Sequence, residues 1–225
     1  MRKAILYFMF LIAIISCSDD DSSAKSQKAP LVTKLTLETT NAPAQIFEFT
    51  YDAQNRIEKI VTDGGSTRRY AYNDQNYLKS ITYNDNPQVV FYYNRQNIIT
   101  AYDFGNSGVE SPVTYNAAQN SYNMPPNSYT LNAQDDVSVA DSKKINFIEK
   151  NGVFANVNGK NLHLMNYFAG VLPFISSKMA VENVVDQSNN IIYKMETQYN
   201  ESGFPVKIEI KGFFGFDDMT VNLEY

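Results

Sequence analysis

The sequence predicts an all-β chain: an antiparallel meander of repeated hairpins forming a curved sheet or partly closed barrel, with one short helix or irregular insertion near residues 161–180. Three observations predict it. A Tyr-Asp/Asn corner recurs every 21 residues. The first and last apolar segments, 31–39 and 219–225, alternate apolar and polar residues with the period of a strand. Aromatic area comes from 16 tyrosines and 14 phenylalanines without tryptophan, residues that favour strands.

Arg2 and Lys3 precede an apolar stretch, residues 4–15, that leads to Cys17, followed at once by Ser18, Asp19, Asp20 and Asp21. Such a run is too short to cross a bilayer as a helix. It resembles the signal peptide of a bacterial lipoprotein. The resemblance implies removal of residues 1–16 and acylation of Cys17, which ties the protein to membrane lipid through several chains, because one chain holds only weakly. The Ser-Asp-Asp-Asp run resembles the surface-export signal of Bacteroidota lipoproteins, which implies an outer-membrane address facing the cell exterior. Residues 17–30 read as the lipidated cysteine and a flexible acidic tether with nothing to bury, and residues 31–225 as a single β domain. With one cysteine no intrachain disulfide forms, so packing and backbone pairing hold the fold.

Leu31 to Thr39 opens the domain as a strand with one face buried. The repeat follows as Tyr51-Asp52-Ala53-Gln54-Asn55-Arg56-Ile57, Tyr72-Asn73-Asp74-Gln75-Asn76-Tyr77-Leu78 and Tyr93-Asn94-Arg95-Gln96-Asn97-Ile98-Ile99, with Tyr115-Asn116 next and weaker copies at 131–137 and 199–204. In each, a short Asp or Asn side chain accepts a backbone N–H two residues on and starts a turn. Asn55, Asn76, Asn97 or Gly203 takes the positive φ that brings the chain back. Ile57 and Ile60, or Leu78 and Ile81, lie three apart, so a bulge or burial on both faces is expected in the outgoing strands. Residues 105–112 and 123–127 read as loops. Asn151-Gly152 reads as a hairpin turn between strands at 144–149 and 153–157. The apolar stretch from Asn161 to Ala180 lacks period two, and Pro173 stops any helix begun near Leu162. Strands at 191–199, 204–211 and 219–225 close the chain, and the last is expected to pair with 31–39 and close the sheet partly or fully.

The Tyr-Asp/Asn units resemble the YD repeats of large bacterial Rhs-type surface proteins. The whole layout, a lipoprotein signal, several such hairpins, an irregular middle and a final hairpin YNESGFPVKIEI, is similar to a family of Bacteroidota lipoproteins of unknown function with a porin-like fold. The resemblance carries no catalytic or ligand residues. A membrane-spanning barrel needs longer strands and an unbroken apolar outer band, whereas Glu58, Lys59, Arg68 and Lys79 interrupt these segments, so a water-exposed domain held by Cys17 is expected.

Without residues 1–16, and so without Arg2 and Lys3, 17 basic residues face 24 acidic ones, a formal charge of -7. No long basic run is present, which argues against nucleic acid as a partner. His163, the single histidine, lies in an apolar stretch and reads as a core residue. No serine sits in a nucleophile elbow, no metal site can be built from Cys and His, and no cofactor or catalytic residue is assigned. Asp135-Asp136 with Asp141, or Asp217-Asp218, lack a complete calcium-loop pattern and read as turn carboxylates. Binding is the expected class: Tyr70, Tyr72, Tyr83, Tyr92, Tyr93 and Tyr102 are candidates for a polar-aromatic platform that takes a glycan or another envelope protein. For any one of them, cross-strand sheet stabilisation is the competing role. The other reading is a carbohydrate-active enzyme whose carboxylate pair, on separate strands, leaves no sequence pattern. The segment Gly212-Phe213-Phe214-Gly215-Phe216 reads as an apolar tip that contacts lipid or a partner, or caps an open end of the sheet.

Overall fold

Seven corners of the Asp/Asn type set the architecture. In each, Asp52, Asn73, Asn94, Asn116, Asn132, Asp186 or Asn200 accepts, through Oδ1, the backbone N–H two residues on, and in all but the Asn116 corner also the N–H four residues on. The residue three further along, or four in the Asn116 corner, is left-handed: Asn55, Asn76, Asn97, Asn120, Asp135, Asn189 and Gly203 all have φ between 48° and 79°. The two weak copies therefore fold like the strong ones. The corner at Asp186-Gln187-Ser188-Asn189 was not read from the sequence, although it keeps the Asp-x-x-Asn spacing of residues 52–55. Asn97→Ala is expected to lose about 1 kcal/mol, the cost of a Cβ in the left-handed region, while Asn97→Gly stays near neutral; urea unfolding of both variants checks this.

The structure, a computed structural model, describes residues 30–125, 127–162, 164 and 175–225. The lipidation expected at Cys17, His163 and most of the 161–180 insertion lie outside the described residues. The described strands are β1 (Lys34–Thr39), β2 (Ala42–Tyr51), β3 (Ile57–Thr62), β4 (Thr67–Tyr72), β5 (Leu78–Tyr83), β6 (Asn86–Tyr93), β7 (Ile99–Phe104), β8 (Glu110–Pro112), β9 (Thr114–Asn116), β10 (Ser121–Met124), β11 (Asn127–Leu131), β12 (Val137–Ala140), β13 (Lys143–Asn151), β14 (Met179–Val185), β15 (Ile191–Tyr199), β16 (Pro205–Gly212) and β17 (Met219–Glu224). They form one antiparallel sheet in which chain neighbours pair. β8 and β9 are two pieces of one bent strand: β8 pairs with β7, β9 with β10, and Val113 between them donates its N–H to Thr100 O. β17 pairs with β1 from Lys34↔Glu224 to Thr39↔Met219. The meander thus curls into a nearly closed barrel, as the alternation of its last strand predicts.

The interior repeats with the sequence. Phe49↔Ile60, Tyr70↔Ile81 and Phe91↔Tyr102 are cross-strand partners, as are Tyr51↔Ile57, Tyr72↔Leu78 and Tyr93↔Ile99. Between the two pairs of each unit the outgoing strand carries one extra residue, Glu58, Lys79 or Thr100, which lies exposed at a β-bulge. The bulge explains why the inward residues at 57 and 60, or 78 and 81, sit three apart. Buried side chains from most of the strands join one continuous apolar cluster, so side chains fill the barrel.

Two sequence expectations are corrected. Asn151-Gly152 is not a hairpin turn, and 153–157 is not a strand: β13 pairs with β14, whose first residue is Met179. Gly152 has no left-handed φ; it is glycine because the backbone of 177–179 passes against it, with Gly152 N–H donating to Lys178 O at 2.8 Å. The loops at 105–112 and 123–127 are also shorter than expected. Glu110–Pro112 is β8, and Asn123, Met124 and Asn127 belong to β10 and β11.

Because strands alternate in direction, the turns fall on two ends. Six of the seven Asp/Asn corners share one end, here called the rim, together with Pro30, where the described chain enters, and the C-terminal Tyr225. The corner at 186–190 and the turns at 63–66, 84–85, 105–109, 141–142 and 213–218 share the opposite end.

Candidate functional site

The rim is where distant parts of the chain converge. After β13 the chain crosses it as a strap, residues 152–162, which runs parallel to the corners beneath. Asn158 N–H donates to Asn55 O and Lys160 N–H to Asn76 O, while Leu78 N–H donates to Lys160 O. Side chains add to this: Asn156 Nδ2 donates to Pro30 O at 2.9 Å, Asn158 Nδ2 to Gln54 O at 2.6 Å, and Asn161 Nδ2 to the Tyr93 hydroxyl at 3.4 Å. Between the polar residues, Val153, Phe154, Val157 and Leu162 are buried in the common core, Phe154 edge-on to Phe49 at 5.7 Å. The strap therefore closes the barrel mouth with apolar side chains and presents amides and an ammonium outward.

A polar groove lies over the strap, lined by Arg56, Asn76, Asp135, Asn158, Lys160 and Lys178 among others. Arg56 is fixed on three sides: Nε meets Asp52 Oδ2 at 2.6 Å, Nη1 meets Asn76 Oδ1 at 2.8 Å, and its guanidinium stands 4.7 Å from the centre of the Tyr72 ring. Burial works to raise the Asp52 pKa, but the N–H groups of Arg56 and Gln54 and the Arg56 guanidinium outweigh it and hold the carboxyl below its ordinary value. Lys160 Nζ sits 4.7 Å over the Tyr77 ring, and Lys150 Nζ 4.7 Å over Tyr199. Each such cation–π contact contributes about 0.5–1 kcal/mol at an exposed site. The groove thus offers cations, amides and rings in fixed positions, the groups that recognise a hydroxylated or anionic ligand.

The repeat tyrosines have a different role. Tyr51 hydroxyl donates to Val32 O at 2.7 Å, Tyr72 to Ile57 O at 3.0 Å and Tyr93 to Leu78 O. Ile57 lies beyond the last ladder pair of β3 with β4, Lys59↔Arg69, and Leu78 beyond the last pair of β5 with β6, Ser80↔Val90. Each hydroxyl therefore satisfies a carbonyl that the ladder leaves at the rim, which a phenylalanine would leave unpaired. Burial pushes the Tyr51, Tyr72 and Tyr93 hydroxyls far above their ordinary pKa, so they remain donors.

The six tyrosines proposed from sequence do not share one exposed face. Tyr70 is buried in the core, Tyr72 and Tyr93 are half-buried at the rim, and Tyr102 turns inward with its hydroxyl on Pro125 O at 2.9 Å. Tyr92 is half-buried on the outer wall opposite Ala101. Tyr83 is exposed at the far end, 5.2 Å from the Arg68 guanidinium. The groove residues Arg56, Asn158, Lys160 and Lys178 were not singled out from sequence; their meeting depends on contacts such as Asn158 with Gln54, 104 residues away.

Of the acidic candidates, Asp135 lines the groove and the others are engaged in turns. Asp136 accepts Lys178 N–H and Met179 N–H, Asp141 accepts Ser128 N–H, and Asp218 accepts Gly212 N–H and the Lys211 ammonium. No cluster of three or more potential metal ligands occurs among the described residues.

The outer wall is charged. Lys34 pairs with Glu224 at 2.7 Å, Lys194 with Glu196 at 3.4 Å and Lys207 with Glu209, while Glu48, Glu58, Arg69 and Lys79 also point outward and are exposed. A membrane-spanning barrel has the reverse polarity, apolar toward lipid and polar within.

No protein-family model and no curated protein sequence matches the chain. Among solved structures it is similar to a porin-like protein from Bacteroides uniformis, at 12% identity over 86% of this chain and 97% of that one, with a TM-score of 0.40. A porin-like protein from Bacteroides vulgatus gives 11% identity over 88% and 99%, with a TM-score of 0.44. The TcdB2-TccC3 structure gives 12% identity over 80% of this chain and 10% of that one, with a TM-score of 0.29.

Proposed function

We propose that the chain is a non-catalytic lipoprotein of the outer membrane, held by acylated Cys17, whose water-exposed barrel binds a glycan or another envelope protein in the groove over the strapped rim. The observation that carries this reading is the polarity of the barrel: among the described residues an apolar filling stands inside a charged side wall, the reverse of a barrel that spans lipid, so attachment to the membrane rests on the anchor at Cys17. What favours recognition in the groove is that Arg56, tied to Asp52 and to the Tyr72 ring, and Lys160, over the Tyr77 ring, are held in place beside the amides of Asn76 and Asn158, with Asp135 as the one lining carboxylate.

Two measurements test it. Cys17→Ala is expected to abolish fatty-acid labelling and release the protein from the membrane fraction; a chain that stays membrane-integrated, or conducts ions in planar bilayers, overturns the reading. In a glycan array and a panel of purified envelope proteins, saturable binding that weakens about tenfold in Lys160→Ala, by loss of about 1.4 kcal/mol, is the expected result. Glycan turnover, or no binding to either panel, contradicts it.

A further inference from the structure

We infer that the tip between β16 and β17 is a second membrane contact, with Phe214 dipping into the lipid surface while the rim faces away. The large apolar side chains that stand exposed among the described residues are Tyr83, Phe104, Val109, Ile191, Phe213, Phe214 and Phe216, and every one lies at the end opposite the rim. Four belong to one place. Phe213 N–H donates to Ile192 O at 3.0 Å, which sets the tip beside Ile191, and the Phe216 ring lies 5.0 Å from that of Tyr193.

The tip is built to hold Phe214 out. That residue is 76% exposed and left-handed at φ 56°, a conformation a bulky side chain avoids unless its surroundings impose it. The surroundings do so here: Asp218 accepts Gly212 N–H at 2.9 Å and the Lys211 ammonium at 2.6 Å, and a side chain at Gly212 would overlap the Phe216 carbonyl. A braced turn presents its ring without the ordering cost a floppy loop incurs on binding.

A lipid surface is the occupant the chemistry favours. Phenylalanine brings no hydrogen-bonding group for a sugar. A ring on a convex tip needs either a concave apolar partner or hydrocarbon, and among the described residues these three open grooves all carry lysine with aspartate or glutamate, two of them beside apolar side chains, a less apolar seat on a second copy than hydrocarbon offers. Around the tip, Lys143 stands 5.8 Å from the Phe216 ring and Lys144 is exposed, cations at the height of anionic headgroups. Of the acids in this turn and in those at 141–142 and 186–190, Asp218 is paired with Lys211, Asp217 accepts Asn41 Nδ2, Asp141 accepts Ser128 N–H, and Asp186 accepts the N–H groups of Ser188 and Asn190. Reach permits the geometry: residues 17–29 extend to about 45 Å, against a wall roughly 20–30 Å high for strands of this length.

The chain has no tryptophan, so Phe214→Trp gives a reporter free of background. The chain without residues 1–16 is studied in its acylated form in phosphatidylethanolamine–phosphatidylglycerol vesicles, and as Cys17→Ala with vesicles added. Expected is a blue-shifted emission quenched by brominated acyl chains, with no quenching in an Ala71→Trp control on the exposed wall; Phe213→Trp repeats the test should the first variant misfold. In the Cys17→Ala chain, Phe214→Asp is expected to lower vesicle binding at least tenfold. Emission that stays water-like, a shift that follows protein concentration without bromolipid quenching, or equal quenching of the wall control overturns the inference. The readout comes from the tip, so a failure of acylation at Cys17 leaves it legible.

Discussion

Gly152→Ala is expected to destabilise the fold by about 3 kcal/mol or more, at the upper end of what overpacking costs. A Cβ at this position would overlap the carbonyl oxygen of Ser177 and lie 2.5 Å from that of Met179 and 2.8 Å from its carbonyl carbon. All three are backbone atoms, so no side chain can rotate away. The shift would strain Gly152 N–H to Lys178 O at 2.8 Å and Phe154 N–H to Ser177 O at 3.0 Å, the pair of bonds where the strap leaves β13 and the chain returns to β14. Phe154 and Val153, just beyond, are buried in the mouth of the barrel, so the strap's apolar plug is expected to loosen with the junction. Gly64→Ala is the control: its Cβ would meet nothing within 4 Å, and its φ is not left-handed, so stability should hold or rise by about 0.5 kcal/mol. At roughly 2–4 °C per kcal/mol for a domain of this size, thermal unfolding separates the two. Equal melting points would mean that the strap contributes little to the closed barrel.

What the sequence revealed depended on how local the physics was. A corner needs a short acceptor at one position and a residue tolerant of positive φ three further on, both inside seven residues, and so Asp52 with Asn55, Asn73 with Asn76 and Asn94 with Asn97 were readable. Closure was readable from one fact, the clean alternation of Met219 to Tyr225, because such a strand requires a partner. The bulges were half readable: Ile57 and Ile60 could not both point inward in a regular strand, but which residue stood out, Glu58, depended on register with β2. Glycine next to asparagine at 151–152 misled because the same residue serves two needs, a left-handed turn and a close backbone approach, and only the 177–179 segment distinguishes them. The tyrosines misled in a related way. Their recurrence suggested a surface for a ligand, whereas at Tyr51, Tyr72 and Tyr93 it reflects a carbonyl left beyond each ladder, which no single unit reveals. The groove was the least legible, since Arg56, Lys160 and Lys178 come together only after the strap has crossed the corners.

Asp136→Ala is expected to be nearly as costly, about 2–4 kcal/mol. The carboxylate is 6% exposed and receives Lys178 N–H at 2.8 Å on one oxygen and Met179 N–H at 3.0 Å on the other. Alanine would leave two buried donors without partners, each at about 1–3 kcal/mol, at the point where the chain rejoins the sheet as β14. Asp136→Asn keeps one acceptor oxygen and turns an amide N–H toward the second donor, so roughly half the loss is expected. The pair also differs with pH. Burial raises the Asp136 pKa above its ordinary value, against the opposing pull of the Lys178 and Met179 N–H groups and the Lys178 charge. A carboxyl whose folded pKa is raised contributes stability that is fully present below the unfolded value, about 3.9, and is lost as pH rises through the folded value. The margin of the native chain over Asp136→Asn should therefore narrow as pH climbs from about 4 through that range. Urea unfolding at a series of pH values tests both statements. An alanine variant within 0.5 kcal/mol of native would show that the junction between strap and β14 is held elsewhere, and a margin that widens with pH would show that the two N–H bonds outweigh burial.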